Sequence, residues 1–126
     1  MRFINSKFHA IIDYASALFM LGLPGIINIA DQSPAIKWIA MLAGIVILLQ
    51  AMLTSYEGGI VSIIPLYVHL IIDIILGLAF IFIPWLAGFT GKPRVVFLVM
   101  GILAILFGLF TKLRPLDRRK IHNHFN

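Results

Sequence analysis

The chain contains no cysteine. That removes disulfides, thiol nucleophiles and cysteine-ligated zinc or iron–sulfur centres from consideration. Charge is scarce too: 12% of the 126 residues are charged against 61% hydrophobic, and the mean hydropathy is +1.04. A soluble domain carries about a quarter charged residues, so this chain has too little polar surface to cover a globule, and a lipid-facing exterior follows. Acid is scarcest of all, five Asp and Glu against ten Lys and Arg. The resulting net charge of +5 does not mark a nucleic-acid binder, because the basic residues flank apolar runs and build no basic face with interleaved aromatics. P-loop, G-x-G-x-x-G, G-x-S-x-G and H-E-x-x-H motifs are all missing. Enzymatic activity is therefore not expected.

What the chain does have is length in its apolar runs. A spanning helix needs about 20 mostly apolar residues, and four stretches qualify: Phe8–Asn28, Ala35–Thr54, Leu66–Phe89 and Val95–Thr111. Asp31-Gln32-Ser33-Pro34 reads as a turn and helix start, with Ser33 as N-cap and Pro34 at the first helical position. Thr90-Gly91-Lys92-Pro93 does the same before the fourth span, and Glu57-Gly58-Gly59 breaks the chain in the middle. Short connections make neighbouring helices antiparallel. The first span is not read as a signal peptide, since His9 and Asp13 interrupt its apolar run.

The chain also repeats itself. His9, Ile11, Ile12, Asp13, Leu18 and Pro24 recur sixty positions later as His69, Ile71, Ile72, Asp73, Leu78 and Pro84. Gly44, Ile45, Leu49 and Thr54 recur fifty-seven positions later as Gly101, Ile102, Leu106 and Thr111. The expected fold is an all-α membrane protein of four transmembrane helices in two tandem helical hairpins. Repeat 1 covers about 1–56 and repeat 2 about 57–111, with 112–126 a basic cytoplasmic tail. Each unit holds an even number of helices, so both copies enter the membrane in the same direction, and a pseudo-twofold along the membrane normal relates them.

Lys and Arg set the orientation. Arg2, Lys7, Lys112, Arg114, Arg118, Arg119 and Lys120 fall on one side, and only Lys37, Lys92 and Arg94 on the other. The positive-inside rule then puts both termini in the cytoplasm and Trp38 and Trp85 at the outer interface. Pro24 and Pro84 are expected to kink or end their helices near that outer surface.

The doubled His-x-x-x-Asp and the segment Ile83-Pro84-Trp85-Leu86-Ala87-Gly88-Phe89 resemble the SPW repeat family of small bacterial membrane proteins. The likeness runs nearly to Thr111, with Ile83 standing where the family has Ser and Leu23-Pro24-Gly25 in the first copy. It implies a four-helix fold in the cell (inner) membrane and supplies no activity.

His9/Asp13 and His69/Asp73 are the candidate site. Residues i and i+4 share a helix face, and ionisable groups at membrane depth mark function by default. Two His and two Asp suit a divalent metal or a proton relay, and two imidazoles suit a haem. The structural reading leads: near a helix start the desolvation cost is mild, and interhelical polar contacts glue bundles together. Gln50 is placed to hydrogen-bond this layer although its repeat counterpart is Phe107, and Thr54 and Thr111 are placed to close it. Gly44 and Ala51, with Gly101 and Gly108, form small-residue seams for close helix packing. Tyr56, Glu57 and Tyr67 read as interface residues, and His122 and His124 as part of a tail touching anionic headgroups. No cofactor is expected. The expected partners are the lipid bilayer and either a second copy or a larger membrane complex.

Overall fold

The computed structural model of the chain describes residues 1–27 and 34–113. Ser33 and its turn, and the tail with His122 and His124, lie outside the described residues. Four helices make up most of the described residues: α1 (Ser6–Ile26), α2 (Pro34–Leu53), α3 (Leu66–Leu86) and α4 (Gly91–Phe110). All four are long and apolar enough to cross a membrane.

Local chemistry moves some ends away from the sequence expectation. Helix α1 begins at Ser6 because the Asn5 side chain accepts a hydrogen bond from the Lys7 amide at 2.7 Å. Pro24 and Pro84 sit within α1 and α3, and each helix stops two residues later. After α3 the chain turns through Gly88 at φ 73°, where the left-handed backbone favours glycine, and the Phe89 amide donates back to the Pro84 carbonyl at 2.7 Å. Phe89 then folds inward, edge-on to Phe97 with ring centroids 5.2 Å apart. Helix α4 starts at Gly91, four residues ahead of the expected Val95; Pro93 lies in its first turn, where a missing N–H costs nothing. The Arg94 guanidinium donates to the Phe89 carbonyl at 3.0 Å and ties that start to the turn.

Helix α1 packs along α2, and α3 along α4. Small residues set both approaches. A Cβ built on Gly101 would stand 2.6 Å from the Gly77 carbonyl oxygen, and one built on Gly44 would stand 2.9 Å from the Ala17 carbonyl oxygen. Gly108 lies equally close to the Leu70 carbonyl, and Ala51 is fully buried beside Ala10 and Leu70. All four seam residues are thus taken up within the chain. At one end of the bundle the hairpins meet through an apolar cluster containing Met20, Leu23, Ile36, Phe80 and Phe97. Trp38 and Trp85 are exposed at this end, beside Lys37 and Arg94 respectively.

At the opposite end, backbone pairing ties the hairpins together. Ile4 pairs with Thr111, and Ile64 with Thr54, each as an isolated parallel bridge. The bonds match one for one. The amides of Phe3 and Ile4 donate to the Phe110 carbonyl while those of Ile63 and Ile64 donate to that of Leu53. Likewise Lys112 donates to Ile4 and Ser55 to Ile64. These are the same sixty- and fifty-seven-residue offsets that the sequence shows. Arg2 adds a guanidinium bond to the Thr111 carbonyl at 2.9 Å, satisfying an orphan acceptor where the helix dipole favours a cation.

Candidate functional site: a His–Asp ring between the hairpins

The four candidate side chains converge. His9 and Asp13 lie one turn apart near the start of α1, and His69 and Asp73 occupy the same places in α3. Across the hairpins, His9 Nε2 lies 2.9 Å from Asp73 Oδ2 and His69 Nε2 lies 3.0 Å from Asp13 Oδ2. The contacts within each helix are longer, 3.2 Å for His9–Asp13 and 3.3 Å for His69–Asp73. The result is a closed ring of alternating imidazole and carboxylate. Each imidazole is only 1% exposed.

The other face of each imidazole is fixed by a threonine. The Thr54 hydroxyl donates to the Gln50 carbonyl at 2.6 Å, and its oxygen lies 2.6 Å from His69 Nδ1. Thr111 does the same with the Phe107 carbonyl and His9 Nδ1, again at 2.6 Å in both contacts. A hydroxyl has one hydrogen. With that hydrogen given to the carbonyl, each threonine oxygen can only accept, so each Nδ1 must carry the ring proton. A neutral imidazole then turns a lone pair from Nε2 toward the carboxylates. Lone pairs facing carboxylate oxygens at 2.9–3.3 Å repel. The ring therefore needs positive charge at its centre, and either two protons or one divalent cation balances the two carboxylates.

Both carboxylates have further donors. Gln50 Nε2 donates to Asp73 Oδ1 and to the His69 carbonyl, both at 3.1 Å. Tyr56 donates its hydroxyl to Asp13 Oδ2 at 2.8 Å. Burial and the neighbouring Asp13 carboxylate push the Tyr56 phenol far above its usual range, so it stays a donor. Tyr56 belongs to the segment between α2 and α3, which folds back over the ring. Gly58 in that segment packs on Ala10 and Tyr14, and Tyr14 donates to the Gly58 carbonyl at 2.6 Å.

Of the sequence candidates, the structure brings His9, Asp13, His69, Asp73, Gln50, Thr54 and Thr111 to this one layer. Tyr56, read from sequence as an interface aromatic, is buried and hydrogen-bonded to the ring. Its place just past the end of a span gave no signal of this; only the Gly58-Gly59 turn after it hinted that the chain doubles back. Glu57 does not join the ring but accepts from the Ser6 hydroxyl at 2.9 and 3.0 Å. A cavity of about 40 Å³ adjoins the ring, with His9, Asp13 and Asp73 on one wall and apolar side chains such as Phe80 and Phe107 on others.

Four apolar spanning helices with a polar ring at one end define a small multi-pass membrane protein. The chain belongs to the SPW repeat domain family, whose model matches residues 7–111. No curated protein and no solved structure matches the chain.

Proposed function

We propose that the chain is a non-enzymatic membrane subunit whose His–Asp ring clamps two parallel hairpin repeats across a pseudo-twofold along the membrane normal. The observation that carries this reading is the pattern of ring distances. The two shortest contacts, 2.9 and 3.0 Å, are the two that cross between hairpins. Buried charged partners that join separate elements specify which surfaces meet. The clamp is tested by a double-mutant cycle on His9 and Asp73, using His9→Gln and Asp73→Asn and unfolding in detergent. Coupling of about 1–3 kcal/mol is expected for groups in direct contact within one network. Additive effects of the two substitutions would remove the clamp.

The subunit belongs in the cell inner membrane with both termini cytoplasmic, a reading supported by the basic flanks of the spans. The ring then lies toward the cytoplasm and the tryptophan end toward the outside. Because the chain has no cysteine, single cysteines report cleanly. A cysteine at Lys92 should label with an impermeant thiol reagent from outside intact cells, and one at Lys7 only after permeabilisation. The opposite pattern would invert the topology. Association with a second copy or a larger complex would use the lipid-facing apolar residues, since the glycine seams are occupied inside each hairpin.

A further inference from the structure

The ring has a property that a proton-filled clamp does not explain. His9 Nε2, His69 Nε2 and Asp73 Oδ2 are buried, and among the described residues none finds a partner of hydrogen-bond geometry, although each lies within 2.9–3.3 Å of an opposite group. A proton on either Nε2 would meet none of the nearby oxygens at a good hydrogen-bond angle. Each Nε2 nonetheless has an oxygen of both carboxylates within 2.9–3.3 Å. That is the geometry of donors around a common centre.

From these donors we infer that the His–Asp ring is a binding site for one divalent transition metal ion of the zinc class, ligated by His9 Nε2, His69 Nε2 and one oxygen each of Asp13 and Asp73. This inference rests on the ring as the junction of the hairpins and adds the ion that fills it. Several independent features agree. One donor atom from each residue lies within 4.8 Å of all the others. Zinc holds imidazole nitrogen at about 2.0–2.1 Å and carboxylate oxygen at a similar distance, so tetrahedral donors stand roughly 3.3 Å apart. The nitrogen–oxygen contacts here are 2.9–3.3 Å; Asp73 meets both imidazoles through Oδ2, whereas Asp13 meets His9 through Oδ1 and His69 through Oδ2 and would turn to present one oxygen to the ion. Two imidazoles on one tetrahedral ion place their ring centroids about 5 Å apart, and the His9 and His69 centroids are 5.2 Å apart.

The surroundings fit a metal as well. Each imidazole donates its far N–H to a threonine that is itself tied to a backbone carbonyl, the kind of outer support that orients metal-binding histidines. Gln50 and Tyr56 hold the carboxylate oxygens in the same way. Charge selects the valence. Two carboxylates and two neutral imidazoles with a divalent ion sum to zero, and a neutral centre is far cheaper than a charged one among spanning helices. Donor type selects the metal: nitrogen donors and four ligands suit zinc or cobalt, whereas magnesium and calcium need six or more oxygens. The adjoining cavity of about 40 Å³, lined in part by His9, Asp13 and Asp73, leaves these side chains room to adjust around the ion.

The test uses the full chain without an affinity tag, purified in detergent, stripped with chelator and carrying His122→Ala and His124→Ala so that the tail cannot contribute. Titration with cobalt(II) should give intense tetrahedral visible bands that saturate at one ion per chain. Zinc should displace the cobalt, and a thousandfold excess of magnesium should not. Asp73→Asn should reduce bound cobalt to less than a tenth of an equivalent. Thr54→Val, which keeps all four donors, should weaken binding by about 10- to 100-fold, as loss of an outer-shell partner does. Weak octahedral bands, or no saturable binding by the parent chain, would overturn the metal site. The His9–Asp73 cycle run in excess chelator separates the two ideas: coupling there without cobalt binding leaves the clamp standing and removes the metal.

Discussion

Gly101→Ala is expected to destabilise the protein by about 1–3 kcal/mol, the range for forcing an extra carbon into a packed interface, and Gly101→Leu to prevent folding. The ordinary helical preference runs the other way. Alanine is favoured over glycine inside a helix by about 1 kcal/mol, so the sign reports the contact. At Gly101 the new Cβ would stand 2.6 Å from the Gly77 carbonyl oxygen and 3.0 Å from an Ile81 side-chain carbon. A backbone oxygen in the middle of a helix cannot turn aside, so α3 and α4 would have to separate. Gly77→Ala should behave alike, because its Cβ would meet the Gly101 carbonyl oxygen at 2.6 Å. Gly22→Ala is the control: only a side-chain methyl carbon of Ile26 lies within reach, at 3.8 Å. It should be neutral or slightly stabilising. Unfolding in detergent followed by circular dichroism reads all three. Equal stability for Gly101→Ala and the parent would mean that the helices do not cross at these glycines.

Asp13→Ala is expected to cost about 3–5 kcal/mol, the range for removing one partner from a buried charged network. A single interhelical hydrogen bond in a membrane protein contributes much less, about 0.6 kcal/mol on average. The larger figure applies because Asp13 touches three groups at once. His9 Nε2 lies at 3.2 Å, His69 Nε2 at 3.0 Å and the Tyr56 hydroxyl at 2.8 Å. Removing the carboxylate strands the Tyr56 hydroxyl and leaves two almost wholly enclosed imidazoles to share Asp73 alone. Tyr56→Phe deletes only the last of these contacts and should cost about 1 kcal/mol. The order of the two, measured by thermal unfolding in the same detergent, decides the matter. If Tyr56→Phe were the more damaging, the segment after α2 and not the ring would hold this end of the bundle.

The helices were legible because their signal is coarse: twenty apolar residues in a row need no knowledge of neighbours. The pairing of His with Asp was legible because the chain states it twice, at His9/Asp13 and His69/Asp73. Other features had no such signal. The Asn5 cap is a single polar residue in a polar stretch, so the start of α1 could not be placed from it. The role of Gly77 was hidden by the repeat itself, since its counterpart sixty positions earlier is Ala17 and the comparison draws the eye to matches. Tyr56 reads as an interface aromatic by composition, and only the fold of its segment over the ring turns it inward. The threonines' second duty, returning their hydroxyl hydrogen to the carbonyl four residues back, depends on side-chain rotamers that a sequence does not display. The proton on each imidazole Nδ1 follows from that duty alone.

The two threonine bonds differ greatly in how far apart their partners lie along the chain. Thr54 and His69 are 15 residues apart, whereas His9 and Thr111 are 102 apart. During synthesis His69 can be pinned as soon as the third helix is in place. His9 must wait until the residue that follows the fourth helix has been made, and the Ile4–Thr111 bridge waits with it. A chain interrupted anywhere before Thr111 carries an unpinned imidazole and an unpaired N-terminal segment. Closure of the bundle is thus coupled to synthesis of the chain as far as Thr111, and a chain stopped short of that residue differs chemically from one that has passed it.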